Sequence, residues 1–151
     1  MNAKIREATP ADRADWARLR GRLWPECPPE RHRLEIDQLL DGTGVVALAV
    51  VGGETVGFAE ISVRVDHVEG ATIAPVPYLE GWYVAEAHRG QGIGRALLAF
   101  AERWAQARGF REFASDAEIG NRRSRRLHAA LGFRETGRTV HYIKRLTASD
   151  T

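Results

Sequence analysis

The chain has 151 residues, 44% of them hydrophobic and 28% charged, the balance of a water-soluble globular protein with room for one respectable core. Its 22 basic residues are nearly matched by 20 acidic ones, for a formal net charge of +2, too even a balance to call for nucleic acid or a membrane as partner. A single cysteine, Cys27, excludes an internal disulfide, which fits a reducing compartment.

Residues 1–7 are charged and lack the apolar segment of a secretory leader, so the cytoplasm is the expected location. Residues 3–8 read as a first strand. Thr9 then suits an N-cap and Pro10 the first position of a helix over 10–22, where Trp16, Leu19 and Leu23 share one face. Pro25, Pro28 and Pro29 interrupt the chain before a second helix over 29–41, stopped by Gly42. The apolar run 45–51, far shorter than the ~20 residues of a membrane span, reads as a buried strand. Gly52-Gly53 marks a tight hairpin, because such turns need positive φ, and the return strand covers 55–65.

A loop rich in Gly, Pro and charge over 66–77 precedes a strand over 78–84. The longest helix, 92–108, carries Ile93, Leu97, Phe100 and Trp104 as an apolar stripe and ends at Gly109. A short strand over 112–115, a helix over 121–131 and strand material over 133–146 complete the chain. No repeat, low-complexity tract or linker interrupts it, so one domain spanning 1–151 is expected. Helices and hairpins together predict an α+β domain around a mixed sheet.

The strand over 78–84 leads through Arg89-Gly90-Gln91-Gly92-Ile93-Gly94 directly into the longest helix. Glycines admit a close backbone approach, and the first helical turn offers unpaired N–H groups at the positive end of the helix dipole. Arg89 and Arg95 add charge-assisted contacts, so a pyrophosphate suits this loop. A dinucleotide fingerprint would need glycine where Arg95 stands, and a P-loop would need Gly-Lys-Ser/Thr. A glycine-rich helix start without a ligand is the bland alternative.

The spacing of Arg89, Gly92 and Gly94 is similar to the coenzyme A pyrophosphate motif of the GNAT N-acetyltransferase superfamily, and the stretch from Asn121 to Leu131-Gly132-Phe133 resembles its second signature. Leu23-Trp24-Pro25, Tyr78-Leu79-Glu80-Gly81, Phe113-Ala114-Ser115-Asp116 and His128-Ala129-Ala130 look like segments of the aminoglycoside 6′-N-acetyltransferases. The resemblance covers most of the chain, from about Trp16 to Lys144. It implies the GNAT fold, a central mixed and mostly antiparallel sheet flanked by helices, with acetyl-CoA as co-substrate and a homodimer as the assembly.

It also implies roles. Contacts to acetyl-CoA fall on Trp82, Tyr83 and Val84, on Arg89, Gly90, Gln91, Gly92, Ile93, Gly94 and Arg95, and on Asn121. Aminoglycoside contacts fall on Trp24, Glu80 and Asp116. Two positions depart from the family: His67 stands where a Tyr is common, and Gly137 where a second Glu is common. His128 occupies the position at which many superfamily members carry a Tyr as general acid, and an N–H near Val84 corresponds to the expected oxyanion donor.

The chemistry is consistent with those types. An aminoglycoside is a polycation and calls for converging carboxylates. The attacking amine must be neutral, and with a lysine-like pKa of about 10.4 its deprotonation costs roughly 4–5 kcal/mol near pH 7. Glu80 is the expected proton acceptor, directly or through water, with Asp116 positioning the acceptor and His128 either protonating the thiolate or packing.

Arg122, Arg123, Arg125 and Arg126 read first as a solvated helix face and next as contacts to coenzyme A phosphates. The five histidines show no metal-ligand spacing, and no metal is expected. Trp16 and Trp104 read as core, and Glu60 as an ordinary strand residue. Two function classes remain at this level: an amine acetyltransferase, acting on aminoglycosides or on another small amine, polyamine or peptide amine, and a non-catalytic coenzyme A-binding module.

Overall fold

The computed structural model describes residues 2–148. Strand β1 (Lys4–Glu7) leads through a 3-10 turn at Pro10–Asp12 into α1 (Arg13–Leu23) and α2 (Pro29–Asp41). The hairpin β2 (Val45–Val51) and β3 (Glu54–Arg64) is followed by β4 (Val76–Val84), α3 (Ile93–Ala107), β5 (Ala114–Ser115) and α4 (Arg122–Ala130). The five strands form one sheet in the order β1-β2-β3-β4-β5. All neighbours are antiparallel except β4 and β5, which are parallel. This is the mixed, mostly antiparallel sheet expected.

Local chemistry explains the element ends. Gly52 and Gly53 hold φ of 56° and 83° in the β2–β3 turn, the conformation a two-residue hairpin needs. The first helix starts later than its proline suggests, because Thr9 and Asp12 close a capping box around the single 3-10 turn. Asp12 accepts the Thr9 backbone N–H at 2.8 Å and a two-point contact from Arg6 at 2.8 Å, which ties β1 to that turn.

The sheet is covered on both faces, which is why β2 reads as an unbroken apolar run. Ala47, Ala49, Ala59 and Ile61 pack against Ile93, Leu97, Leu98 and Ala101 of α3. On the other face Val46, Leu48 and Phe58 meet Trp16 and Leu19 of α1 and Ile36 of α2. Phe100 and Trp104 of α3 are only partly buried at the rim of the first cluster.

The C-terminal expectation needs correction. Among the described residues no strand follows β5, so the segment expected as strand over 133–146 pairs with nothing. Leu131 and Phe133 still pack on the core. Beyond them the chain offers its apolar side chains to solvent, with Tyr142 91% and Ile143 98% exposed. The alternation of 140–143 suits a strand, but β5 contributes only two paired residues and presents almost no edge to extend.

Candidate functional site

The site is organised by an irregularity in β4. Gly81 pairs with Glu60 and Leu79 pairs with Ile61, so Glu80 is the extra residue of a β-bulge. A bulge bends its strand and re-aims a side chain. The parallel partner β5 pairs only with Tyr78 and Leu79, whereas β4 continues along β3 to Val84. Residues 80–84 therefore present, on the β5 side, a strand edge that β5 does not cover. An extended chain with amide groups can add to such an edge.

That edge points to the start of α3. Gly90 and Gly92 hold φ of 79° and 81°, and Gly92 is the left-handed N-cap of α3. Residues with a Cβ rarely adopt that conformation. With its glycine cap, the first turn of α3 provides the N–H groups an anion needs. Ile93 is buried in the core, so its side chain serves packing. Arg95 and Gln91 are exposed.

Other members of the expected donor site have structural partners as well. Arg89 turns back onto β4, its Nε donating to the Val84 carbonyl at 2.8 Å, with its Cζ 5.5 Å from the Tyr83 ring. Trp82 Nε1 donates to the Gly94 carbonyl at 3.0 Å and locks strand to helix. Asn121 caps α4, its Oδ1 accepting the Ser124 N–H at 3.1 Å. Partial burial, and then the neighbouring Arg89, push the Arg123 guanidinium below its usual pKa.

His128 sits between Trp82 and Phe133, at 5.4 and 5.0 Å between ring centroids. Its Nδ1 lies 2.7 Å from the Ser124 carbonyl, which can only accept. Nδ1 therefore carries the proton, and Nε2 accepts the Ser115 hydroxyl at 2.7 Å.

On the acceptor side a cleft of about 1010 Å³ is lined by Trp24, Ser62, Glu80, Glu118, Glu26 and Glu35, among others. Glu26, Glu35 and Glu118 add carboxylates that no sequence motif flagged. Trp24 lies against β4 because residue 81 is glycine: a Cβ there would stand 2.6 Å from Trp24 Cη2. Glu80 accepts the Ser62 hydroxyl, the Arg64 Nε at 3.0 Å and the Arg64 terminal nitrogen at 2.5 Å. Asp116 does not line the cleft; it accepts the Tyr78 hydroxyl. Burial, and then that Asp116 contact, push the Tyr78 phenol well above its usual pKa.

His67 is not brought to Trp24 and Glu80. Its side chain is 82% exposed, and Nε2 lies 3.8 Å from Glu69. Gly137 abuts the same loop: a Cβ on it would stand 3.3 Å from Glu69 Oε1, so the Glu69 carboxylate occupies the space beside the missing side chain. Thr136 donates to the Glu69 carbonyl at 3.4 Å, and Thr72 and Ile73 donate their N–H groups to Glu112. The loop is thus fastened at both flanks.

Glu60 corrects its reading as an ordinary strand residue. It is 2% exposed, ion-paired with the equally buried Arg20, and accepts Trp16 Nε1 at 2.8 Å. Burial pushes its carboxyl up, while Arg20 and the indole N–H pull it back. Arg20 also pairs with Glu35 and donates Nε to His32 Nδ1 at 3.1 Å. Cys27, His32 and Glu35 bring potential metal-ligand atoms within 4.8 Å of one another. The donor set does not suit a metal: Arg20 already neutralises Glu35, and its bond to Nδ1 leaves the imidazole proton on Nε2.

The family described as "Acetyltransferase (GNAT) family" matches residues 11–133. An aminoglycoside N(6′)-acetyltransferase type 1 of Stenotrophomonas maltophilia is 47% identical over 139 residues, covering 91% of this chain and 90% of the relative. A protein of the same description from Serratia marcescens is 46% identical over 133 residues, with 87% and 91% covered. Among solved structures, AAC(6′)-Iy in complex with the bisubstrate analog CoA-S-monomethyl-acetylneamine matches with a TM-score of 0.90 at 35% identity, covering 97% of this chain and 100% of that one. Among the described residues no helix is long and apolar enough to cross a membrane.

Proposed function

This chain belongs to the GNAT family of acetyltransferases and is an acetyl-CoA-dependent N-acetyltransferase, and we propose that it acetylates the 6′-amine of aminoglycoside antibiotics as a single catalytic domain, by direct attack in a ternary complex. One observation carries the acceptor assignment: the bulge residue Glu80 directs a carboxylate into an acidic cleft walled by Trp24, beside the uncovered edge of β4. A polycation with apolar sugar faces suits such walls.

Acetyl-CoA supplies an activated acyl group as a thioester. The β4 edge and the first turn of α3 hold the donor, with Trp82, Tyr83 and Val84 on the arm side and residues 89–95 and Asn121 on the phosphate side. A β4 N–H near Val84 steadies the carbonyl oxygen as charge develops there. Glu80 takes a proton from the acceptor ammonium, and Asp116, held by Tyr78, orients the acceptor. For His128 to act as the acid its Nε2 must first take up a proton; Nε2–H then donates to the Ser115 hydroxyl, whose own proton passes to the departing thiolate. His67 and Gly137 lie outside the lining of the acidic cleft, and the carboxylate beside both of them is that of Glu69.

The same reading extends to a cytoplasmic enzyme that confers resistance, assembled as a homodimer through the exposed apolar tail at 140–146. A single panel tests it: acetyl-CoA with kanamycin, tobramycin, spermidine and a lysine peptide, followed by thiol release and, in parallel, sedimentation. Turnover of the two drugs is expected. Turnover of the peptide alone would sink the aminoglycoside assignment, and no turnover at all would leave a coenzyme A-binding module.

A further inference from the structure

The base candidate Glu80 carries a cation of the protein's own. Arg64, the last residue of β3, grips it in a two-point contact, Nε at 3.0 Å and a terminal nitrogen at 2.5 Å. The guanidinium carbon also lies 3.4 Å from the centroid of the Tyr78 ring, whose hydroxyl is bonded to Asp116. One positive group therefore stands among the two carboxylates and the aromatic face assigned to the acceptor.

We propose that Arg64 sets acceptor specificity by occupying the Glu80 carboxylate, so that an acceptor must replace the guanidinium with an ammonium of its own. This rests on the acetyl-transfer reading of the site. The guanidinium holds its proton more tightly than usual, first through the Glu80 contact and also through the charge of Asp116, so both carboxylates act on it. Arg64 is able to leave: its side chain is 43% exposed at a strand end, while that of Glu80 is 29% exposed. Glu80 keeps the Ser62 hydroxyl as a partner after the exchange.

Exchanging one cation for another on Glu80 creates no net ion pair. A monoamine therefore gains little by entering. A polycation gains from the further carboxylates around that position, Asp116, whose charge acts on the Arg64 guanidinium, and Glu118 in the cleft. The arrangement filters acceptors by charge number.

The test compares wild type with Arg64→Ala and Arg64→Lys in two measurements: acetylation of tobramycin, and calorimetric titration of the coenzyme A-bound enzyme with tobramycin and with spermine. Removing a half-exposed competing ion pair is expected to lower the acceptor KM and Kd about fivefold in R64A. The KM for acetyl-CoA and kcat should stay within roughly twofold. R64K, which lacks the planar fork, should fall between. An acceptor Kd unchanged or raised in R64A overturns the proposal, and a raised KM joined to a fallen kcat would make Arg64 a clamp that orients Glu80. The melting temperature of each variant shows that it is folded. Binding without acetylation in wild type refutes the acetyl-transfer reading alone, since the ratio of Kd values still judges Arg64. Absence of binding in both wild type and R64A overturns both.

Discussion

Three hydrogen bonds converge on Glu80, from the Ser62 hydroxyl and from two nitrogens of Arg64. The Ser62 hydroxyl is the partner that stays with the carboxylate when Arg64 gives way to an acceptor. Glu80→Gln preserves the shape and the hydroxyl contact while removing the base. General base catalysis is worth roughly 10²–10⁴-fold, so kcat should fall by at least about a hundredfold. If only KM rose while kcat stayed as in wild type, Glu80 would be a binding residue and the proton would leave by another route.

At the scale of elements, the bulge in β4 and the glycine after it act as one device. The bulge turns Glu80 into the cleft, and Gly81 lets the indole of Trp24 lie on the strand. Gly81→Ala sets a methyl 2.6 Å from Trp24 Cη2 and 3.2 Å from Glu60 Oε2. The rigid indole and the buried carboxylate cannot both yield. Steady-state kinetics should show the acceptor KM rising about tenfold, a loss of the size expected when a positioning contact is displaced, with the KM for acetyl-CoA little changed.

The unit from 78 to 108 was legible in the sequence because its determinants are contiguous: strand, glycine loop and apolar stripe follow one another. The bulge was not, since register depends on how β3 and β4 align. Nor was the pairing of Arg64 with Glu80, 16 residues apart, or that of Glu60 with Arg20, 40 apart. Such partners meet only through the sheet and the α1–α2 hairpin. Alternation at 140–143 suits a strand, yet none forms there, because a pattern does not provide an edge to pair with.

At the scale of the molecule, the layers are joined by a few charged clasps. Arg20 and Glu60 join α1 to the sheet, and Arg6 and Asp12 join β1 to the turn before α1. The Arg6 hydrogen bonds, followed by the Thr9 backbone N–H, hold the Asp12 carboxyl well below the usual carboxylate range against the effect of burial. A depressed folded-state pKa gives the fold stability that is complete above the unfolded value of about 4 and is lost as the pH falls from there through the folded-state value. Thermal melts between about pH 7 and pH 2 should therefore show an acid-side drop in Tm that Asp12→Asn flattens, with a lower Tm for the variant at neutral pH. Equal slopes for the two proteins would assign the drop to other carboxylates.

The clasp between Thr136-Gly137 and Glu69-Gly70 couples two regions that chemistry alone would keep apart. One end of that clasp is the loop carrying His67, and the other runs into the apolar tail at 140–146. If the tail is where two copies meet, any tension from assembly reaches the loop through a contact a few residues away. The ordering of that loop, rather than of the acceptor cleft, would then follow by mass action the concentration of the protein itself.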